Sequence, residues 1–489
     1  MRHLLSGGMA AAVLAGCVTA PPSAPPAPAE RSGASEAAFP TTPPALGPAP
    51  TLTLPRPVRR TLPNGLEVLY VPRTGLPIVH ATLVTRGGEA DAPARSPELP
   101  DFTAEMLDEG AGGKDALELA AAIEQLGASL NTGAGWDAVQ VDLEVLRERL
   151  PQALALMADV VIRPHFPTAD LQRVREERLT DLARAKDEPR IIAGNAFASL
   201  VYGSDNPYGR LPTTAATRAI DRAAMVEFHR KFYRPASSTL VLVGDVDPAV
   251  VQPVVEQAFG GWQRGRAAEP VQPGVPELGE TTVYLVDKPG AAQSEIRIGH
   301  PGVSRDDPDY FPLTVLNTLL GGSFTSRLNM NLREVHGYTY GARSAFDMRR
   351  GVGPFVASSA VTTAKTDSAL IEFFRELERI RDEPVPQDEL ERAKQYVALG
   401  LPRRFETTGA TAEQLATLAV HGLDPSFFES YVQRIGQVTA ADVQRVAREY
   451  VRPGRSVVVV VGDRQSIEPG IRALDIGAVQ VRPAEEFVR

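Results

Sequence analysis

The histidines of this chain are the first candidates for metal binding or general base catalysis. A zinc-binding helix needs two histidines four residues apart, so that both rings face one ion. The closest two here are His300 and His336, 36 positions apart. The chain also has a single cysteine, which excludes a cysteine metal site and an intrachain disulfide. The sequence predicts no metal and no cofactor bound by this chain. All the histidines are His3, His80, His165, His229, His300, His336 and His421.

Other residue types give weaker candidates. His336 lies near Arg333 and could act as a general base, although a single histidine in a polar turn is more often structural. The segment Arg86-Gly87-Gly88-Glu89 lacks the Lys-Ser/Thr of a phosphate-binding loop and is more typical of a turn. No nucleophile-elbow pattern surrounds the candidate serines, so serine hydrolysis is not supported. These serines are Ser237, Ser238, Ser323 and Ser326.

Alternating and helical patterns indicate the elements that would position such groups. Val139, Val141, Leu143 and Val145 alternate with polar residues, which predicts a strand with one wet face. Other apolar residues follow helical spacing, and Thr168 is expected to cap the helix that carries Leu171 and Val174. Since sheet faces and helix stripes must bury each other, the pattern predicts an α+β fold of two-layer sandwiches. The helical stripes are Ala116, Leu119, Ile123 and Leu126, and Leu150, Ala153, Met157 and Val160.

The folded part is a duplication. Arg234-Pro235 precedes an apolar strand that ends in Gly244-Asp245, and Arg452-Pro453 precedes another that ends in Gly462-Asp463, at a constant offset of 218 positions. A repeat of this length is a duplicated domain rather than a solenoid unit. We place the halves at 51–265 and 281–489, joined by a Pro/Gly/Glu-rich linker at 266–280.

Composition excludes several classes of protein. The 489 residues are 43% hydrophobic, which is enough for two or more packed domains. The 51 basic and 60 acidic residues give a net charge of −9. A nucleic-acid binder normally carries a basic surface, so no nucleic-acid partner is expected.

The first residues have the pattern of a secretory signal. Arg2 and His3 precede an apolar run, Leu4 to Ala15, that is too short to span a bilayer. It ends in Leu14-Ala15-Gly16-Cys17, which resembles a bacterial lipobox and implies acylation of Cys17. That resemblance implies residues 1–16 as a signal peptide and a periplasmic lipoprotein held at the outer membrane.

The segment after Cys17 predicts a tether. Residues 18–50 contain ten prolines with alanine, serine and threonine. Such a composition cannot bury enough apolar surface to fold and favours an extended linker. Residues 17–50 would space the folded halves from the membrane.

Short motifs along the folded part resemble the pitrilysin, insulinase and mitochondrial processing peptidase family. The resemblance covers nearly all of 51–489 and rests on the order of the motifs together with the duplication. It implies two homologous α/β sandwich domains arranged like a clamshell, and the activity of a metallopeptidase. The motifs are Leu62-Pro63-Asn64-Gly65-Leu66, Gly127-Ala128-Ser129-Leu130-Asn131, Leu319-Leu320-Gly321-Gly322-Ser323, Ser326-Arg327-Leu328, Leu332-Arg333-Glu334 and Gly337 to Tyr340.

The zinc motif of that family is degenerate here. Catalytic members carry H-x-x-E-H on a helix, with two histidines as zinc ligands, a glutamate as general base and a downstream glutamate as third ligand. The corresponding positions are Asp101, Ala104 and Glu105, and the spacing to Asp187-Glu188-Pro189 places the third ligand near Asp181. Three carboxylates could suit a hard cation, but acidic residues at i and i+4 are usually a solvated helix face.

The C-terminal half retains another family feature. Family members use an arginine and a tyrosine seven residues apart to reach the substrate at the zinc site, and Arg333 and Tyr340 match them. A guanidinium and a phenol can donate hydrogen bonds to peptide carbonyls and to a developing oxyanion. A structural arginine and a core tyrosine remain the alternative.

Two hypotheses follow from the resemblance. The first is a zinc-less subunit that completes the peptide-binding chamber of a periplasmic heteromeric metalloendopeptidase. Zinc is then expected in a related partner subunit, the substrate is an unstructured peptide, and this chain is inactive alone. The second is a pseudoenzyme that binds peptides or scaffolds a complex without supporting proteolysis.

Overall fold

The computed structural model describes residues 56–266, 268–269 and 271–489. The signal peptide and the tether expected at 1–50 lie outside the described residues. The first half contains eight strands and eight helices. They are β1 (Val58–Thr61), β2 (Glu67–Pro72), β3 (Ile78–Arg86), α1 (Leu99–Glu105), β4 (Gly110–Ala111), β5 (Lys114–Asp115), α2 (Ala116–Gln125), β6 (Ser129–Ala134), β7 (Ala138–Leu146), α3 (Leu150–Ile162), α4 (Thr168–Ala185), α5 (Pro189–Tyr202), α6 (Thr214–Ala219), α7 (Arg222–Phe232), β8 (Ser238–Gly244) and α8 (Pro248–Phe259).

The second half begins at residue 282, and no described residue between α8 and that point belongs to a helix or strand. Its α10 continues directly into a π-helical turn, Met330–Val335. Its elements are β9 (Thr282–Asp287), β10 (Gln293–Pro301), α9 (Tyr310–Leu320), α10 (Arg327–Asn329), β11 (Thr339–Phe346), β12 (Pro354–Thr362), α11 (Thr366–Asp382), α12 (Gln387–Gly400), α13 (Thr408–Val420), α14 (Tyr431–Gln437), α15 (Ala440–Tyr450), β13 (Val457–Gly462), α16 (Arg464–Ala473) and β14 (Ala478–Arg482).

The strand order of one half is repeated in the other. The first sheet runs β1-β2-β8-β3-β7-β6 and the second runs β14-β9-β13-β10-β12-β11. In both, the second and third strands are parallel and the following pairs are antiparallel. Only the outermost strand differs, because β1 forms an antiparallel hairpin with β2 whereas β14 runs parallel to β9. The prediction of two related α/β domains from a duplication is confirmed.

Local patterns behave as the sequence indicates, with one exception. The alternating strand is β7, whose four valine and leucine residues are buried, and the stripe beginning at Leu150 is the buried face of α3. The cap predicted at Thr168 is wrong. Pro167 is the N-cap residue of α4, and no side chain caps this end. Pro167 has an extended backbone and directly precedes the helix. Thr168 is therefore the first helical residue and not the cap.

One helix from each half packs on the sheet of the other half. Helix α5 packs on β10 and β13, and α13 packs on β3 and β8. Ile192 and Phe197 of α5 share a core with Val459 and Val461 of β13. This exchange buries apolar surface from both halves in common clusters, so the halves form one compact unit.

A loop of the second half reinforces this junction. The backbone N–H of Arg350 donates to Asp137 (2.8 Å), and its guanidinium donates to the buried Asp91 (3.0 Å). The hydroxyl of Tyr208 accepts a hydrogen bond from the backbone of Gly351 (3.1 Å). The two bonds to carboxylates are charge-assisted, and all three tie this loop of the second half to the first half.

Candidate functional site

Helix α1 presents two carboxylates to one guanidinium. Asp101 and Glu105 are four residues apart and therefore lie on one side of the helix. The Nη1 of Arg178, on α4, donates to Asp101 Oδ2 (2.6 Å), and its Nε donates to Glu105 Oε2 (2.8 Å). A fixed positive charge thus bridges the two positions at which the catalytic members of the resembled family hold zinc.

The position of the general base is apolar. Ala104 has no exposed surface and belongs to the hydrophobic core of the first half. A methyl group cannot accept a proton. Position 104 of α1 therefore provides no general base for a water molecule bound beside Asp101 and Glu105.

Asp181, the position that the resemblance implies for the third ligand, forms no hydrogen bond or ion pair with α1 among the described residues. The residue of α4 that meets α1 is Arg178, not Asp181. Asp181 is largely exposed, and its carboxylate lies 3.5 Å from Arg184 on its own helix. Asp181 lies three residues, or about 4.5 Å of rise, further along α4 than Arg178, and its side chain is exposed to solvent.

The residues around Arg178 form an acidic pocket. Burial raises the pKa of Glu89 to about 7, and the nearby Asp101 carboxylate adds to this effect, while Arg349 and Arg178 oppose it. Burial also raises the pKa of Glu98. Burial opposes the charge of Arg178, but Asp101 and Glu105 raise the pKa of its guanidinium above its usual value. Arg178 therefore neutralises part of a cluster of negative charge.

This arrangement does not fit zinc. Within the described residues, no group of three or more histidine, cysteine, aspartate or glutamate side chains is placed to hold a metal ion. The side chain of α4 that contacts Asp101 and Glu105 is a cation, which repels a metal ion instead of binding it. The sequence analysis did not identify Arg178 as a functional residue. The only feature that could have pointed to it is its position on the helix expected to carry the third ligand.

Arg333 lies in the π-helical turn, near the surface. Its guanidinium lies 4.6 Å from the centre of the Phe324 ring and 3.2 Å from the Glu334 carboxylate. The turn that follows requires a glycine, because Gly337 has a positive φ of 63° and donates its N–H to the Arg333 carbonyl (3.1 Å). The side chain of Arg333 is 39% exposed, so it is available to a group outside the chain.

Tyr340 is the most exposed large hydrophobic residue among the described residues, at 89%. It lies on the edge strand β11, where the pairing with β12 shifts between Thr339 and Ala342. Thr339 stabilises the irregularity, because its hydroxyl donates to the Ala360 carbonyl (2.7 Å) and accepts from the Gly341 N–H (3.0 Å). The alternative of a core tyrosine is therefore wrong.

Apolar side chains are exposed on the elements next to these two residues. Phe324 is 59% exposed, Met330 40% and Val335 73%. All three lie in or just before the helical segment that leads to β11. Exposed apolar side chains grouped in this way are typical of a protein interaction surface.

Two other candidates, His336 and Ser238, contact structural neighbours. His336 Nε2 lies 3.8 Å from Glu372, and its ring stacks on Tyr338. Ser238 is buried and hydrogen-bonded to Thr85. None of these side chains is paired with a nucleophile or base that would activate it.

Two six-stranded α/β halves of this kind each carry one of the two candidate sites, and each half contains most of a family-model match. Residues 76–205 match the family model described as insulinase (peptidase family M16), and residues 219–397 match the model described as peptidase M16 inactive domain. The chain belongs to the M16 peptidase family. Asp101 and Arg178 fall in the first match, and Arg333 and Tyr340 in the second.

Curated relatives and solved structures agree with this assignment. A protein named an uncharacterized zinc protease from Mycobacterium tuberculosis is 26% identical over 427 residues, covering 86% of this chain and 96% of that protein. One of the same description from Streptomyces coelicolor is 27% identical over 422 residues, covering 83% of this chain and 90% of that protein.

The solved structures match over nearly their whole length. A peptidase M16 inactive domain from Pseudomonas fluorescens has a TM-score of 0.78 at 26% identity, covering 83% of this chain and 98% of that chain. A protease from Helicobacter pylori has a TM-score of 0.74 at 18% identity, covering 83% and 100%, and shows a similar fold.

Proposed function

We propose that this chain is a zinc-less subunit of a heteromeric metalloendopeptidase, to which it contributes Arg333 and Tyr340. The observation that carries the proposal is the exposure of Tyr340 on an edge strand. A tyrosine with a structural role is normally buried with its hydroxyl bonded, whereas the Tyr340 hydroxyl has no hydrogen bond to another described residue. Its phenol is free to meet a substrate held by a second chain.

The site on α1 supports the zinc-less part of the proposal. Ala104 provides no base, and Arg178 occupies the carboxylates that remain at the ligand positions. The relatives are named zinc proteases. In this chain, the residues of α1 do not provide the ligands and the base that a zinc protease needs. Zinc and the activated water therefore belong to the partner subunit.

The apolar side chains beside Arg333 support the heteromeric part. Phe324, Met330 and Val335 would lose exposed apolar surface on association, which favours binding by about 25 cal/mol per Å². A partner seated there would bring its substrate next to Arg333 and Tyr340. Both residues would then donate hydrogen bonds to the substrate carbonyl as negative charge develops on its oxygen.

The cellular location is part of the same proposal. The lipobox-like Cys17, outside the described residues, would hold the complex at the outer membrane and expose it to periplasmic peptides. No helix in the part of the chain that the structure describes is long and apolar enough to cross a membrane.

The test is reconstitution with a related subunit from the same genome that has an intact H-x-x-E-H helix. We expect this chain to cleave no unstructured peptide alone and to raise the kcat of the partner when mixed with it. Size-exclusion chromatography should show a joint complex. A complex that forms without any gain in turnover would favour the scaffolding hypothesis.

A further inference from the structure

Three strands of the second sheet carry a row of basic and hydroxyl side chains on one face. In the antiparallel pairing, Arg297 of β10 lies opposite Ser358 of β12, and Ser358 lies opposite Arg343 of β11. Directly opposed residues point to the same face of a sheet. Ile296 and Ile298 point to the other face, where they are buried in the core. The row therefore lies on the face that α5 only partly covers.

Helix α5 adds a third guanidinium to this row. The Nη2 of Arg297 lies 3.7 Å from the point where a Cβ on Gly194 would stand, so the guanidinium packs against the helix backbone. Arg190 is four residues before Gly194 and faces the same side of α5. Arg190 and Arg343 are exposed, and Arg297 is partly buried between them.

The three guanidinium groups have only one carboxylate, that of Glu295, acting on Arg297 among the described residues. Among the described residues, none of them forms an ion pair or a side-chain hydrogen bond, and the Nε of Arg297 is buried without an acceptor. Burial lowers the pKa of Arg297; Glu295 opposes this, while Arg190 and Arg343 lower the pKa further. One carboxylate near three cations leaves an excess of positive charge, and a buried N–H without a partner is costly.

We propose that Arg190, Arg297 and Arg343 form a binding site for the carboxylates of an acidic segment of an extended peptide. The planar fork of a guanidinium matches a carboxylate with two parallel hydrogen bonds, and the Ser358 hydroxyl lies between two of these forks. Arg343 is three residues from Tyr340 on β11, a distance of about 10 Å along a strand. The extra residue of β11 at the register shift between Thr339 and Ala342 interrupts the alternation of faces, which allows both side chains to face the same side. A peptide that meets Tyr340 can therefore place an acidic residue over this site.

The choice of a peptide as the occupant rests on the proposed function, whereas the excess of positive charge does not. The experiment therefore uses the purified full chain without a partner and measures binding, not turnover. Fluorescence anisotropy compares a rhodamine-labelled unstructured peptide rich in Asp and Glu with the same peptide carrying Asn and Gln instead. We expect the acidic peptide to bind on the order of tenfold more tightly, as loss of a charge-assisted hydrogen bond implies.

Variants locate the site. R343Q and R190Q change exposed side chains and should each weaken binding of the acidic peptide about tenfold, without changing the circular dichroism spectrum. R297Q should also weaken binding of the acidic peptide if the variant folds. If it does not fold, R343Q and R190Q alone test whether this site binds the peptide. R218Q, on α6, is the matched control and should bind like the parent.

Three results would overturn the proposal. They are equal binding of both peptides, unchanged binding by R343Q and R190Q, and binding of inorganic phosphate at the site without binding of the acidic peptide. Failure of the proposed function is a separate result, because parental turnover of the reconstituted pair with Y340F and R333A would reject that function without changing peptide binding by the lone chain.

Discussion

Arg178 donates a 2.6 Å hydrogen bond to Asp101 across the gap between α4 and α1. In a catalytic member of the family, the same two helices would share a metal ion. Here one positive side chain performs the structural part of that role, since it neutralises two carboxylates and ties the helices together. It cannot perform the chemical part, because a guanidinium neither activates water at neutral pH nor has an open coordination position.

The first prediction concerns metal binding. The double variant D101H/E105H restores two ligands but keeps Arg178, and it should bind zinc no more tightly than the parent. Adding R178E supplies a third ligand and removes the opposing charge, so the triple variant should bind about one zinc per chain. Competition with a chromogenic chelator measures the affinity. Ala104 is unchanged, so peptidase activity should stay absent; tight zinc binding by the parent would contradict this account.

The second prediction concerns the stability of the helix pair. R178M leaves Asp101 and Glu105 without their cation near Glu89, and should lower the free energy of unfolding by about 1–3 kcal/mol at neutral pH. R184M, on the exposed face of α4, is the control and should change it by less than about 0.5 kcal/mol. Urea unfolding gives both values. Equal effects of the two substitutions would mean that the contact between α1 and α4 contributes nothing.

The third prediction concerns pH. Because burial raises the pKa of Glu89 to about 7 in the folded chain, against 4.5 as its ordinary value, the native state binds the proton more tightly than the unfolded state does. The stabilisation that protonated Glu89 contributes to the folded state is fully present below about pH 4.5 and is lost as the pH rises toward 7. E89Q should remove this loss and become more stable than the parent by about 1–3 kcal/mol near pH 7.5. Unfolding curves at pH 5 and 7.5 test it; parallel pH profiles for parent and E89Q would show that Glu89 is not perturbed.

The fourth prediction concerns Arg333 and Tyr340, the residues proposed to face the partner. In the reconstituted pair, Y340F removes one hydroxyl and should lower kcat by about a hundred- to a thousandfold, the typical effect of losing an oxyanion donor. R333A should lower it at least as much, since it also removes charge. The control is Y396F, a half-exposed tyrosine on α12, which should leave kcat unchanged. Separate kcat and KM values distinguish loss of transition-state contacts from loss of peptide binding. Parental kcat in both Y340F and R333A would reject the proposed role.

The fifth prediction concerns location. C17S removes the acceptor for acyl chains, which would provide the anchoring free energy. We expect the variant in the soluble periplasmic fraction and the parent in the membrane fraction, as measured by immunoblotting after fractionation. S23A, in the proposed tether, should fractionate like the parent. A membrane-bound C17S variant would refute the lipid anchor.

The sequence determined the features that depend on local pattern. Alternation in β7 and the helical stripe in α3 follow from periods of 2.0 and 3.6 residues, which exist without any tertiary contact. The 218-residue offset between two strands predicts a repeated strand order, because a duplicated sequence folds into a duplicated domain. Likewise, the absence of a histidine pair is a property of the chain alone.

The tertiary structure decided which residues meet across the chain. The sequence could not choose Arg178 over Asp181, because the choice depends on how α4 is rotated against a helix more than 70 positions away. It could not show that α5 and α13 each cover the other half's sheet. Arg297 and Arg343 come together only through strand register, which is set by the packing of whole sheets and not by the residues of either strand.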